Sequence, residues 1–306
     1  MKEIAIGIDI GGSHITCQLY NLETNSLIPH SKVNIAVDAS ASKSAILNTW
    51  VEAIAKSAGY LNLEELAGIG LAMPGPFDYL NGIAWFEGVN KFENLHGVNV
   101  KIELLKMLDL SDDYPIRFFN DASCFAIGEA NGEECSNYER IIALTLGTGF
   151  GSTFIKNKRP VISMDGIPED GFLYNIPYGD TIANNYFSTS WFLNEYNTQT
   201  GNEISGVKEL AESAKDNSLS NKIFKTFGKN LGNFLIPWIK NFDADCIVIG
   251  GNISKAFMLF QEEMMIQIKK NDIDITICKS TLDEDAALIG SARLCDNGYY
   301  SKLIEK

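Results

Sequence analysis

Apolar and polar positions alternate with a period of two at the start of the chain and take up helical spacing soon afterwards. Residues Ile4-Ala5-Ile6-Gly7-Ile8-Asp9-Ile10 form a β-branched run that predicts a buried strand. Beyond Gly11, Gly12 and Ser13, the residues Ile15, Cys17 and Leu19 share one face, which predicts a second strand and makes the pair a hairpin. Ile46, Leu47, Trp50 and Ile54 then recur at helical spacing within residues 42–58. Residues 68–73 read as a short apolar strand ended by Pro74-Gly75-Pro76. The pattern continues with helix over 101–108, strand over 116–119, helix over 122–130 and strand over 141–146. The Gly-rich turn Gly147-Thr148-Gly149-Phe150-Gly151 leads into a strand at 152–155. A long helical region covers 204–242, followed by a strand at 246–249, a helix at 255–269, a strand at 273–278 and a helix at 286–295. Such alternation defines an α/β protein.

One arrangement occurs twice. Strand, Gly-rich turn and strand appear around Asp9-Ile10-Gly11-Gly12-Ser13 and again around Leu146-Gly147-Thr148-Gly149. Two copies, each opening an α/β half, imply two similar domains, drawn at 1–118 plus 291–306 and at 119–290. A cleft between such halves receives both turns, and ligand sites favour such interfaces.

The 306 residues, 45% hydrophobic and 21% charged, suffice for a sizeable core. No apolar run reaches the roughly 18 residues of a membrane span. Met1-Lys2-Glu3 enters a strand directly, so no signal peptide is expected and a cytoplasmic location is. A formal charge of −14 argues against nucleic acid as a partner. The six cysteines (Cys17, Cys124, Cys135, Cys246, Cys278 and Cys295) are scattered singly, without a CxxC pair, and the three histidines lack metal-ligand spacing. Reduced, packed thiols are expected, and no structural zinc.

The first turn places a carboxylate, paired glycines and a hydroxyl together. Glycines can reach φ > 0 and expose bare N–H groups, and such concavities bind phosphate. A second strand follows where a dinucleotide fingerprint needs a helix, and the P-loop Lys-Ser/Thr is missing. An ordinary tight hairpin fits the same residues. Asp121 ends one strand and begins a helix, which by itself reads as a helix N-cap.

Taken in order, Asp9-Ile10-Gly11-Gly12-Ser13, Met73-Pro74-Gly75-Pro76, Asn120-Asp121-Ala122, Leu146-Gly147-Thr148-Gly149-Phe150-Gly151, Ile249-Gly250-Gly251-Asn252-Ile253-Ser254 and Asp285-Ala286-Ala287-Leu288-Ile289-Gly290-Ser291-Ala292 resemble the ROK family of sugar kinases, of the actin-like ATPase (ribonuclease H-like) superfold. The resemblance runs over residues 4–295 and implies ATP and Mg²⁺ as cofactors and a sugar beside the γ-phosphate. It implies that Gly11, Gly12, Ser13, Gly147, Thr148 and Gly149 meet phosphates, that Gly250 and Gly251 pass near the adenine, and that Asp9 holds Mg²⁺ through water. Asp121 becomes the catalytic base, with Asn120 orienting the sugar, and Gly75, Glu169, Asn184 and either Asn90 or Asn94 as further sugar contacts. His14 stands where many relatives carry lysine. In the family's Glu-x-Gly-His segment this chain has Glu169-Asp170-Gly171-Phe172, and the zinc-binding cysteine cluster is missing, so zinc is expected absent and the sugar is left open. Relatives are often dimers. A hexose kinase and a sugar-binding regulator of the same fold both fit the resemblance; the regulators carry a DNA-binding segment ahead of the first strand.

Overall fold

β1 (Ile4–Ile10) pairs antiparallel with β2 (His14–Asn21), and Ile10 faces Ile15 across the turn. β3 (Ser26–Leu27) and β4 (Val33–Ala36) both add to β2, while β5 (Ile69–Met73) runs parallel to β1. A small hairpin of β6 (Phe77–Asp78) and β7 (Ile83–Ala84) precedes β8 (Ile116–Asn120), which lies parallel to β5. The result is a six-stranded sheet of order β3-β2-β1-β5-β8, with β4 also on β2. α1 (Lys43–Ala58) starts at Ser42, whose hydroxyl accepts the Ala45 N–H at 3.3 Å. Its buried Ile46, Trp50 and Ile54 pack in one core with Ile6, Ile8, Leu71 and Phe118. α2 (Val100–Met107) is capped by Asn99, and α3 (Asp121–Asn131) follows β8 directly.

The second sheet repeats the plan. β9 (Arg140–Leu146) and β10 (Phe150–Lys156) form the hairpin, β11 (Arg159–Pro160) extends it, and β14 (Cys246–Gly250) and β15 (Thr276–Lys279) join in parallel, giving β11-β10-β9-β14-β15. Between them come the hairpin of β12 (Pro177–Tyr178) and β13 (Thr181–Ile182), α4 (Ala183–Tyr186), α5 (Thr189–Thr200), α6 (Val207–Ser213), α7 (Ser218–Phe242) and α8 (Phe257–Lys269). Phe187, Phe192, Phe224, Phe227 and Phe234 fill this core. The helical region expected over 204–242 is two helices, not one. Asn217 breaks it by accepting the N–H groups of Leu219 at 2.9 Å and Ser220 at 3.4 Å, a new N-cap. α5 had no sequence signal because only Trp191 and Phe192 of its residues are buried.

The chain ends in α9 (Asp285–Arg293) and α10 (Asn297–Ile304), which belong with the first sheet. By contacts, residues up to Gly128 and from Glu284 onward form one unit, and Glu129–Asp283 form the other. This computed structural model describes residues 2–304. No helix among them is long and apolar enough to cross a membrane.

Candidate active site

In the first unit the strand register brings the chemistry together. Asp9 is level with Ala72 of β5, and Ala72 is level with Phe119 of β8. Asp9 and Asp121 therefore emerge at the same carboxyl edge of three parallel strands, where open α/β sheets hold their ligands. Burial raises the Asp9 carboxyl to about pH 7, and the charges of Asp121 and then Glu284 push in the same direction. Asp121 is also raised, chiefly by burial. The Ala122 N–H (2.9 Å), the charge of Lys91 and the Asn120 amide (3.0 Å) oppose the rise.

The helix cap at this point is Asn120, whose Oδ1 accepts the Ser123 N–H at 3.2 Å. Its amide nitrogen donates to Asp121 and to the Tyr79 hydroxyl, the latter at 3.3 Å. Tyr79 in turn donates to the Met73 carbonyl, and its oxygen lies 3.5 Å from where a side chain on Gly75 would start. Asn120, Asp121, Tyr79 and the Gly75 turn thus form one connected group. Asn94 stands apart from it, donating to the carbonyls of Ser40 (3.0 Å) and Ala41 (2.9 Å). Asn90, at φ +57°, has its N–H held by Glu93.

The turn itself is closed by the Gly11 N–H donating to the His14 carbonyl at 2.9 Å, with Ser13 Oγ 3.2 Å from the His14 ring. The expected positive φ is not found. Gly11, Gly12, Gly147 and Gly149 are outside the set of glycines with φ > 0. Gly12 and Gly147 leave open approach, since a Cβ at Gly147 would meet nothing within 4 Å and one at Gly12 only Lys91 Cδ at 3.9 Å, whereas a Cβ at Gly11 would stand 3.2 Å from the His14 carbonyl oxygen. Gly12, Ser13, Thr148 and Gly149 are all exposed.

In the second unit the Gly147–Gly149 turn is braced from two helices. The Gly147 carbonyl accepts the Thr189 N–H at 2.8 Å and its hydroxyl at 3.0 Å. Asn184 Oδ1 accepts the Phe150 N–H at 3.0 Å, so this side chain supports the Gly-rich turn. Gly250 ends β14 beside Thr145. Gly251 has φ +81°, and a Cβ there would stand 2.4 Å from the Leu146 carbonyl oxygen, so close packing alone requires glycine. Glu169 is exposed on a short turn of 3₁₀ helix at Glu169–Gly171. Ser152 stitches the end of that turn to β10, donating to Gly171 O (2.9 Å) and accepting the Leu173 N–H (2.8 Å). Phe172 leans on Tyr174 with ring centroids 6.1 Å apart.

Sequence reasoning missed Lys91, Glu284 and Tyr79. None lies in a motif, and only the folded register delivers them. Asp9 repelled by two carboxylates is a donor set suited to a hard divalent cation such as Mg²⁺, which prefers oxygen ligands and keeps its waters.

The ROK family model matches residues 5–297. The N-acetyl-D-glucosamine kinase of Haemophilus influenzae is 24% identical over 278 residues, covering 83% of this chain and 86% of its own. The glucokinase of Thermotoga maritima is 25% identical over 317 residues, covering 94% and 96%. Among solved structures, a ROK family glucokinase from Streptomyces griseus in complex with glucose and AMPPNP has a TM-score of 0.72 at 18% identity, covering 95% of this chain and 98% of its own. A ROK family transcriptional regulator, a homolog of the E. coli MLC protein, has a TM-score of 0.79 at 16% identity, covering 99% and 80%. At these identities the solved structures speak for the fold, the mixed α/β, two-domain architecture of the actin-like ATPases. With almost its whole length matched, the chain belongs to the ROK family.

Proposed function

We propose that the protein is an ATP-dependent sugar kinase that transfers the γ-phosphoryl group to a hexose hydroxyl. The observation that carries this reading is Asp121: a buried carboxylate with a raised pKa, fixed by Asn120 at the strand edge that also presents Asp9. The sequence alone implies an ordinary, weakly basic aspartate. Burial makes it a better proton acceptor while Lys91 keeps it ionisable. As the sugar oxygen bonds to phosphorus, its proton passes to Asp121, and the bond from phosphorus to the bridging oxygen of ADP breaks. Gly12 and Ser13 donate to phosphate oxygens from the first hairpin, and Thr148 and Gly149 are the exposed donors of the second; Gly11 and Gly147 shape the turns, their N–H groups being held by the His14 and Gly149 carbonyls. Asp9 and Glu284 would hold Mg²⁺, which supplies charge neutralisation on the phosphates. Lys91, beside Gly12, supplies a positive charge at the first turn, where His14 stands in place of the lysine of many relatives. Asn120 acts by positioning Asp121, and Asn184 by bracing the second turn; Glu169 and Gly75 are left as sugar contacts.

The named relatives make glucose and N-acetylglucosamine the first sugars to test. A coupled ADP-release assay over hexoses and N-acetylhexosamines should give turnover with at least one sugar. Asp121→Asn should lower kcat by at least about 10³-fold while calorimetry still detects nucleotide binding. Near-normal turnover by that variant would sink the assignment. A sugar-binding regulator is the second reading, favoured by the apolar face that Phe172 and Tyr174 create beside Glu169. Sugar binding without turnover across the panel would select it.

A further inference from the structure

Three thiols that are far apart in sequence meet in the second unit. Cys135 lies in the connection between α3 and β9, Cys246 opens β14, and Cys278 lies in β15. Cys246 is level with Thr276 and Val248 with Cys278, so the two cysteines are diagonal neighbours on one face of a parallel pair. Their sulfurs are 3.6 Å apart, and all three sulfurs lie within 4.8 Å of one another. Cys135 and Cys246 are buried and Cys278 is half-buried. Cys17, Cys124 and Cys295 behave differently, each packed as a separate small apolar group.

From this geometry we propose a site for one soft, thiophilic metal ion, Zn²⁺ in the first instance, held by Cys135, Cys246 and Cys278. A tetrahedral Zn²⁺ with bonds of about 2.3 Å sets its sulfurs roughly 3.8 Å apart, close to the spacing already present. A disulfide needs about 2.0 Å and would leave one thiol over. Cysteine ligates metal as the thiolate. Binding releases the thiol protons, and the fourth position falls to solvent on the half-buried Cys278 side. The residues are separate from the Glu169–Phe172 segment, and the site does not depend on the kinase reading. Sequence spacing gave the opposite expectation, because cysteines met singly along a chain carry no ligand pattern. The metal would tie the α3–β9 connection to the β14–β15 pair.

The test uses the whole protein, reduced and stripped with a chelator, then titrated with Co²⁺. One equivalent should bind with thiolate-to-cobalt charge transfer in the near ultraviolet and the strong visible bands of a tetrahedral site, and Zn²⁺ should displace it. Cys278→Ser should weaken binding by about tenfold or more, whereas Cys295→Ser leaves the spectrum unchanged. The wild-type titration decides the matter even if a variant fails to fold. Cobalt uptake without sulfur charge transfer, no uptake at all, or a Cys246–Cys278 disulfide in freshly purified protein would overturn the site.

Discussion

Asp9 is held among like charges, and this has a consequence before any ligand binds. Its carboxyl is raised to about 7 by burial, Asp121 and Glu284, whereas in the unfolded chain it returns to about 3.9. The folded form retains a proton that the unfolded form gives up. The stability linked to this group is therefore complete below pH ~4 and is lost as pH rises through about 7. The ligand-free protein should melt at a lower temperature at pH 8 than at pH 5. Asp9→Asn should flatten that slope and add on the order of 3 kcal/mol at pH 8, read by thermal unfolding across pH. An unchanged slope would remove Asp9 as its source. Lys91 acts in the opposite sense on Asp121, holding its pKa down. Lys91→Ala should cost about 10²-fold in kcat and shift the acid limb of the pH–rate profile to higher pH. Lys91→Arg should bring the limb back, and a limb that stays in place in the alanine variant would rule out this coupling.

At the scale of elements, the placement of Asp121 depends on how α3 is seated. α3 and α9 cross through a reciprocal pair of glycines. A Cβ at Gly290 would stand 1.8 Å from the Cys124 carbonyl oxygen, and one at Gly128 would stand 2.0 Å from that of Ala286. Both obstacles are backbone, so neither can move aside cheaply. Gly290→Ala should destabilise by about 3 kcal/mol in urea unfolding and lower kcat by shifting the start of α3. Gly206→Ala, where a Cβ meets nothing within 4 Å, should cost under about 1 kcal/mol. Equal effects at the two positions would refute the crossing argument. Residues 285–292 and 120–122 were legible as motifs, but their contact was not. The strands and most helices were legible because their buried faces repeat within a few residues. α5, with two buried side chains, and the break at Asn217 were missed because a polar segment caps or bends according to what packs beside it.

For the molecule as a whole, the two units carry the same order of hairpin and parallel strands, which the repeated Gly-rich turns had implied. The net charge of −14 repels an anionic nucleotide at long range. Raising salt from about 20 to 200 mM shortens the screening length from roughly 20 to 7 Å. The KM for MgATP should therefore fall modestly over that range in steady-state assays, and a rise would mean that local cations such as Lys91 dominate.

By itself the sequence determined the α/β class and both hairpins, and it marked Asp9 and Asp121 as candidates, because each is written in local periodicity or in a short contiguous motif. Only the tertiary structure decided what surrounds them. Lys91 reaches Gly12, Glu284 raises Asp9, Asn184 braces a turn, and three solitary cysteines converge. Strand register and helix crossings set those meetings, and neither has a local signature in the chain.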